Sequence, residues 1–501
     1  MTTAYQHGIY GNTAATVMPP ATVATAGIQC VIGTAPVNML ANPQVAVNVP
    51  ILLNNLGDAQ NLLAYNSNMS LDTYTIGQSI HATFEVFDTA PLIAINVLNP
   101  TTHTTAKTSA GSMVGGNYIP GTTVGSVFTP DIGILLAGLE VKNTGGTITY
   151  ILGTDYTTSW NSNGSLNVSV ITGGALTATS SVSLTYSILD PTKVVAADII
   201  AGIALINRAF QTLSTPTSAI IPATILAPGW SQLPTVGQAL IAAAPTVSTV
   251  FHATAVLDID SATATTITAA IAWKVTNSYI SRDAIVCYPK VETNQGKIIW
   301  QSAMAAALMQ ANDAANESTP FVSPSNKAYN ILTTILGDNV TQVVYMLSEA
   351  NQLNGEGIFT ALNFMGWKSW GDNTSIFSWS AEQAGSVYDP KDQFINIKRS
   401  FDWQNNRFIC SYWSAIDNPM NYRAIQTLIT DENQFYNPFI TTGLVAGMSI
   451  QFNQANNPQS QILAGVIQFE QYLSPYIPTQ TIINTLQFNP AMLATALGGA
   501  A

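Results

Sequence analysis

The apolar positions of the first hundred residues fall in short, nearly continuous runs. Ile28, Cys30 and Ile32 alternate with Gln29 and Val31 until Gly33-Thr34-Ala35-Pro36 ends the run, and 91–97 forms a second one. Both predict mostly buried strands. The pattern changes over 101–190, which is rich in Thr, Ser, Gly and Val. Turn signals at Asn143-Thr144-Gly145-Gly146, Asn163-Gly164 and Gly173-Gly174 separate short alternating segments at 148–150, 166–170 and 182–186. That predicts an all-β module made of hairpins, with a long loop over 101–125. From Val194 onward helical and strand patterns alternate. A helix is expected over 198–213, with Ile199, Ile203, Ile206, Phe210 and Leu213 on one face, and a strand over 224–227. A short helix follows over 236–244, then a strand over 251–257, a helix from Ser261 through Trp273, a strand over 284–287 and a helix over 298–315. Such alternation implies parallel strands joined by right-handed crossovers. The first strand of that sheet is expected before residue 100, so 101–190 reads as an insertion into a discontinuous α/β domain.

The last third mixes both periods. Ile395 and Ile397 alternate with Asn396 and Lys398, as in a half-buried strand. Asp417 is placed to cap a helix starting at Pro419, with Ala424, Ile425, Leu428 and Ile429 on one apolar face. In 481–489, Ile482, Leu486 and Phe488 share one side, interrupted by Asn484, and Ile483, Thr485 and Gln487 share the other. Pro475 and Pro478 disfavour a helix there, so a strand is expected. At the other end, Pro19-Pro20 close a small, polar segment carrying isolated Ile9, Val17 and Met18. It reads either as a frayed terminus or as an extended strand pairing with a neighbour's sheet edge.

Composition narrows the function. Only 8% of the 501 residues are charged, about a third of the ~25% usual in soluble domains. A chain with so little self-repulsion suits packing against its own copies. The net charge of −12, with no Lys/Arg run, argues against direct nucleic-acid binding. No apolar run reaches the ~18–20 residues of a membrane helix. The N-terminus lacks the cationic and apolar stretches of a signal peptide. Cys30, Cys287 and Cys410 sit in apolar contexts and read as free thiols of a reducing compartment.

Candidate chemistry is sparse. His7, His81, His103 and His252 are scattered, and no Cys-x-x-Cys, nucleophile elbow or phosphate-binding glycine loop occurs, so neither metal nor cofactor is expected. The strand-terminating turns lack the glycine spacing of a dinucleotide site. Asp258/Asp260 and Asp431/Glu432 are acidic pairs. Asp258 follows a buried strand, where a catalytic group could sit, but Asp260 and Ser261 capping the next helix, with Asp258 bonded to local backbone, explains the pair more simply. Trp367 and Trp370 read as core packing rather than a ligand platform.

Several stretches share one likeness. Gly366-Trp367-Lys368-Ser369-Trp370-Gly371-Asp372-Asn373-Thr374, then 394–399, Asp417-Asn418-Pro419 and 476–483 occur in the order found in the C-terminal domain of contractile phage tail sheath proteins, which this region resembles. Leu353, Asn354, Gly357 and Ile358 belong to the same likeness. So do 27–36, Ile225-Leu226-Ala227-Pro228-Gly229, Val286-Cys287-Tyr288-Pro289, and the inserted β segment with Gly153-Thr154-Asp155-Tyr156. The likeness covers most of 27–490. The Ala/Gly-rich tail after Pro490 and the scarcity of charge depart from it.

The resemblance implies α/β and α+β multidomain architecture. It comprises an N-terminal arm (1–22), a discontinuous α/β domain (23–100 with 191–350), an inserted β domain (101–190), a C-terminal α+β sheath domain (351–478) and a C-terminal arm (479–501). It further implies a structural, non-enzymatic homo-oligomer of stacked hexameric rings around an inner tail tube, touching baseplate and tail terminator proteins, without cofactor, nucleic acid or membrane insertion. The particle would be a phage tail or a phage-derived contractile device assembled in the bacterial cytoplasm. Neighbours would be joined by arms bearing Ile9, Val17, Met18, Ile482, Leu486 and Phe488. Gly366, Trp367, Trp370, Gly371, Asp417 and Pro419 would be structural. Two other classes remain open on the sequence: an α/β hydrolase-like enzyme with an inserted β module, and an extracellular surface-layer or binding protein.

Overall fold

The computed structural model describes residues 26–120, 131–215 and 218–498. Its centre is an eight-stranded sheet in the order Trp367–Trp370, Ile358–Asn363, Ala284–Cys287, Thr254–Asp258, Thr224–Leu226, Gln29–Gly33, Leu92–Asn96, Pro50–Leu53. The six middle strands are parallel and the two edge strands antiparallel. Strands from both sides of residue 100 therefore share one sheet, with Gln29 opposite Leu92 on one flank and Thr224 on the other. Every residue of Gln29–Gly33, Leu92–Asn96 and Thr254–Asp258 is buried, which is why these strands read as continuous apolar runs. Helix Gln301–Ala314 lies against this sheet with Ala303, Ala305, Ala306 and Ala307 buried, small side chains that permit a close approach.

Between residues 104 and 189 the chain forms a separate seven-stranded antiparallel sheet. It has its own core of Met113, Ile134, Val141, Tyr156, Val168, Val182, Leu184 and Tyr186. The hairpin signals at 143–146 and 163–164 sit where strands turn. The loop expected over 101–125 is instead the hairpin Thr104–Val114 and Asn117–Pro120 as far as it is described. Its Thr-rich strand alternates exposed and half-buried residues, so it buries too little to show apolar periodicity.

Other departures are local. The helix over 198–213 is broken into Ala196–Ala204, a 3-10 turn and Ala209–Leu213. The helix placed at Ser261 starts at Ile267, capped by Thr266 Oγ1, which accepts from Ala269 N at 3.2 Å. The strand expected around Ile395 and Ile397 is the first turn of an 18-residue helix, Ile395–Tyr412. Four alternating residues cannot separate the two periods. Here the intervening polar residues are buried too, because each has a partner. Asn396 Nδ2 donates to Phe321 O at 2.9 Å, and Lys398 Nζ lies 3.0 Å from Asp283 and 2.5 Å from Asp402.

Asp417 does not cap the following helix. It sits in a turn with φ +65°, and the helix Tyr422–Thr441 is capped by Asn421, whose Oδ1 accepts from Ala424 N at 3.0 Å. Pro419 consequently precedes the helix instead of opening it. This helix covers the antiparallel pair Val445–Gln451 and Glu470–Pro475. Phe321, Trp403 and Phe439 meet edge to face at 5.5–5.8 Å, and Leu428, Tyr436, Val445, Met448 and Ile450 complete this third core.

Candidate assembly interface

A two-stranded sheet always has two edges, and each needs cover or a partner. On Val445–Gln451 the N–H of Ile450 donates to Asn433 Oδ1 at 3.1 Å, and Asn433 Nδ2 donates to Ile450 O at 3.3 Å. The amide of Asn433 thus stands in for a strand at that position. No other strand flanks this pair among the described residues. Beneath the sheet, Glu432 is 1% exposed and accepts from Gln404 Nε2 (2.9 Å), Tyr436 Oη (2.6 Å), Tyr412 Oη (2.8 Å) and the Arg407 guanidinium. Four donors on one carboxylate tie the two long helices together, so this acid is structural.

Past the sheet the chain stays bonded to its own body as far as Gln480, with Asn396 Nδ2 also reaching Tyr476 O at 3.4 Å. Gln480 Nε2 donates to Asp372 Oδ1 at 2.9 Å and to Asn373 Oδ1 at 3.2 Å. Asp372 is buried, and burial raises its carboxyl above the usual range while the bond from Gln480 opposes the rise. Beyond Gln480, residues 481–489 pair with no strand among the described residues. Ile482, Leu486 and Phe488 are 86, 90 and 79% exposed, and so are Tyr476, Ile477 and Ile483 on either side. The structure thus brings Ile482, Leu486 and Phe488 together on one extended, uncovered segment. Ile9, Val17 and Met18 lie outside the described residues.

The remaining expected positions form a framework. Gly366 (φ +104°) closes the hairpin that pairs Trp367 with Asn363. Gly371 has φ +141°, and a Cβ there would lie 3.0 Å from Phe359 Cα, so only glycine fits. The two indoles are half-buried, with Trp367 Nε1 donating to Leu332 O and Trp370 Nε1 to Asn351 Oδ1, both at 2.9 Å. Asp258 is buried and reaches far in sequence. It accepts from Ser302 N (2.8 Å), Ser302 Oγ (2.5 Å) and Ser231 Oγ (3.1 Å), and burial pushes its carboxyl up to about 6. The expected local backbone bonding applies only to Asp260, which accepts from Ala262 N. Among the described residues no three His, Cys, Asp or Glu side chains gather as metal ligands. No described helix is long and apolar enough to cross a membrane.

This is the fold of contractile sheath proteins. A sheath chain of an extracellular contractile injection system in the contracted state superposes with TM-score 0.54 at 13% identity, covering 98% of this chain and all of that one. The contracted helical sheath of the anti-feeding prophage gives 0.53 at 13%, covering 96% and 99%, and a chain of that particle's baseplate gives 0.56 at 12%, covering 96% and 98%. No protein-family model matches the chain. In sequence, the tail sheath protein of Burkholderia phage BcepMu is 26% identical over 513 residues, spanning 99% of each chain. The resemblance to contractile tail sheath proteins read from the sequence is borne out by both comparisons.

Proposed function

We propose that this chain is the structural subunit of a contractile tail sheath and has no catalytic role. The observation that carries this is the end-to-end similarity to a phage tail sheath protein, and the fold supports it. Six copies form a ring, and rings stack around an inner tube between a baseplate and a tail terminator. Residues 1–22 and 479–501 act as arms, 101–190 is an inserted β domain on the outside of the polymer, and 351–478, whose first two strands join the central sheet, carries the two-stranded sheet that receives the arms. The particle is a phage tail or a phage-derived contractile device, assembled in the bacterial cytoplasm. Contraction is a rigid-body change between two packings, driven by interface energy without a nucleotide.

The joint we assign is strand exchange. Residues 481–489 leave their own body and add to the Val445–Gln451/Glu470–Pro475 sheet of a neighbour. Support comes from the exposure of Ile482, Leu486 and Phe488, which in a lone chain would leave apolar side chains and unpaired backbone in water. Truncation after Gln480 tests it. The shortened chain should stay a folded monomer with a near-normal circular dichroism spectrum and form no tubes in electron micrographs. Tubes at the usual concentration, or an unfolded monomer, would refute exchange.

A further inference from the structure

After Glu470 the chain carries no Lys, Arg, Asp or Glu. Beyond the extended segment this charge-free tail turns helical over Pro490–Ala496. Its ends carry start and stop signals of their own. Asn489 Oδ1 accepts from Ala491 N at 3.0 Å, Pro490 fills the first turn, and Gly498 follows with φ +83°. At 3.6 residues per turn, Met492, Leu493, Ala496 and Leu497 fall within an arc of about 140°. Met492, Leu493 and Leu497 are 72, 51 and 79% exposed. A helix of this length is marginal in water, so an encoded, apolar one needs a surface to stabilise it.

That surface lies away from its own body. From Gln480, which is held to Asp372 and Asn373, nine extended residues reach ~30 Å. With no charge on the tail, recognition must rest on apolar shape. A second copy suits this, because every tail in a polymer then has one acceptor at a fixed position. An acceptor of that character exists on the chain. A groove of about 480 Å³ between the 413–421 turn and helix Tyr422–Thr441 has an apolar floor of Tyr412, Pro419, Met420, Ala424 and Leu428, with polar side chains, among them Arg423 and Asp431, also on its walls. It adjoins the sheet assigned to receive the arm, since the same helix packs on Val445–Gln451. Exposed Trp413, Ile416 and Tyr422 flank it in sequence.

We propose that the helix Pro490–Ala496, with Leu497 at its end, is a second anchor, docking Met492, Leu493 and Leu497 into the 412–428 groove of a neighbouring copy and holding the donated strand in place. This rests on the strand-exchange reading. Two full-length-derived variants test it. Truncation after Asn489 should leave the circular dichroism of the body unchanged. It should raise the concentration needed for half-maximal tube formation by about tenfold or more, the factor that 1.4 kcal/mol represents. In a Cys410→Ser background, the pair Ala424→Cys and Leu493→Cys should form intermolecular disulfides in assembled tubes and not in dilute monomer. If truncation after Asn489 assembles normally while truncation after Gln480 does not, the helix proposal fails and strand exchange stands. If both assemble normally, both fail. A cross-link within one chain, or none in tubes, also overturns the helix proposal.

Discussion

Arg399 and Asp313 form a buried ion pair at the joint between the central sheet and the C-terminal third, and removing half of it should be among the costliest changes in the chain. Arg399 Nη1 donates to Asp313 Oδ1 at 3.1 Å, and Nη2 donates to Asp313 Oδ2 and, at 3.2 Å, to the carbonyl of Ala26. The side chains are 3 and 0% exposed. Three segments meet there: helix Gln301–Ala314, helix Ile395–Tyr412 and the entry to the first strand. Asp313 also sits in the last turn of its helix, where a carboxylate opposes the helix dipole unless a cation covers it. Asp313→Ala leaves a guanidinium in the interior with one carbonyl for company. The expected loss is ~3–5 kcal/mol, against a typical total stability of ~5–15 kcal/mol. Burial nevertheless pushes the Asp313 carboxyl up to about 6 despite its partner, so the pair does not fully offset its own desolvation. The double variant Asp313→Leu with Arg399→Met should therefore recover most of the loss. Urea unfolding, with amide exchange protection read in helix Ile395–Tyr412, measures both. A cost below ~1 kcal/mol for Asp313→Ala, or a double variant no better than the single, would refute the account.

Three further substitutions probe assignments that the structure revised. Asp258 titrates higher folded than unfolded, so its contribution to stability is present below about pH 4 and is lost as the pH rises through about 6. That amounts to ~3 kcal/mol, and Asp258→Asn should flatten the slope between those values in a pH series of unfolding free energies; an unchanged slope counts against the buried-carboxyl argument. Asn421→Ala should cost ~1 kcal/mol as the loss of a helix cap, whereas Asp417→Gly, at φ +65°, should be neutral or stabilising; a larger loss from Asp417→Gly would restore it as the cap.

What was legible in the sequence follows from how each residue signals its surroundings. The parallel strands were readable because strands covered on both faces are apolar at every position, as at Leu92–Asn96 and Thr254–Asp258. The hairpins turning at Asn143 and Asn163 were readable because their turns demand particular residues. The first turn of Ile395–Tyr412 was not. Its buried Asn396, Lys398 and Arg399 look like a solvent face until their partners at 283, 313 and 321 are in place, and those partners are set by tertiary packing. Asp258 misled for the same reason, since Ser302 lies 44 residues away. Asp417 and Asn421 are both good caps four residues apart, and only the backbone decides between them. At the candidate interface, 481–489 carries a strand period but joins no sheet among the described residues, and the helix after it is not predicted from the sequence. Asn489-Pro490 and Gly498 were its signal, obscured by an Ala/Gly-rich composition.

Where the few charges sit bears on how such a subunit could rearrange. Of the fifteen Lys and Arg side chains, Lys274, Lys290, Lys398 and Arg399 are buried. Each is spent on an internal partner: Lys274 on the carbonyl of Glu356, Lys290 on Asp72, Lys398 on Asp283 and Asp402, and Arg399 on Asp313. These staples join separate elements within one chain, and breaking any of them leaves an unpaired charge in the interior. They therefore favour a body that moves as a unit. The other eleven Lys and Arg side chains are half-buried or exposed, but with only 8% of all residues charged they are spread among many more neutral polar and apolar side chains. Charge pairs across an interface fix register, because a displaced packing sets like charges together at a cost of several kcal/mol. Neutral polar groups can exchange hydrogen-bond partners, and apolar contacts are non-directional. On the proposed reading, a low-charge surface around a charge-stapled body lets neighbouring copies hold two packings of the same faces. On the same proposed reading, the uncharged arm beyond Glu470 would link copies in either packing without a charge pair to fix its register.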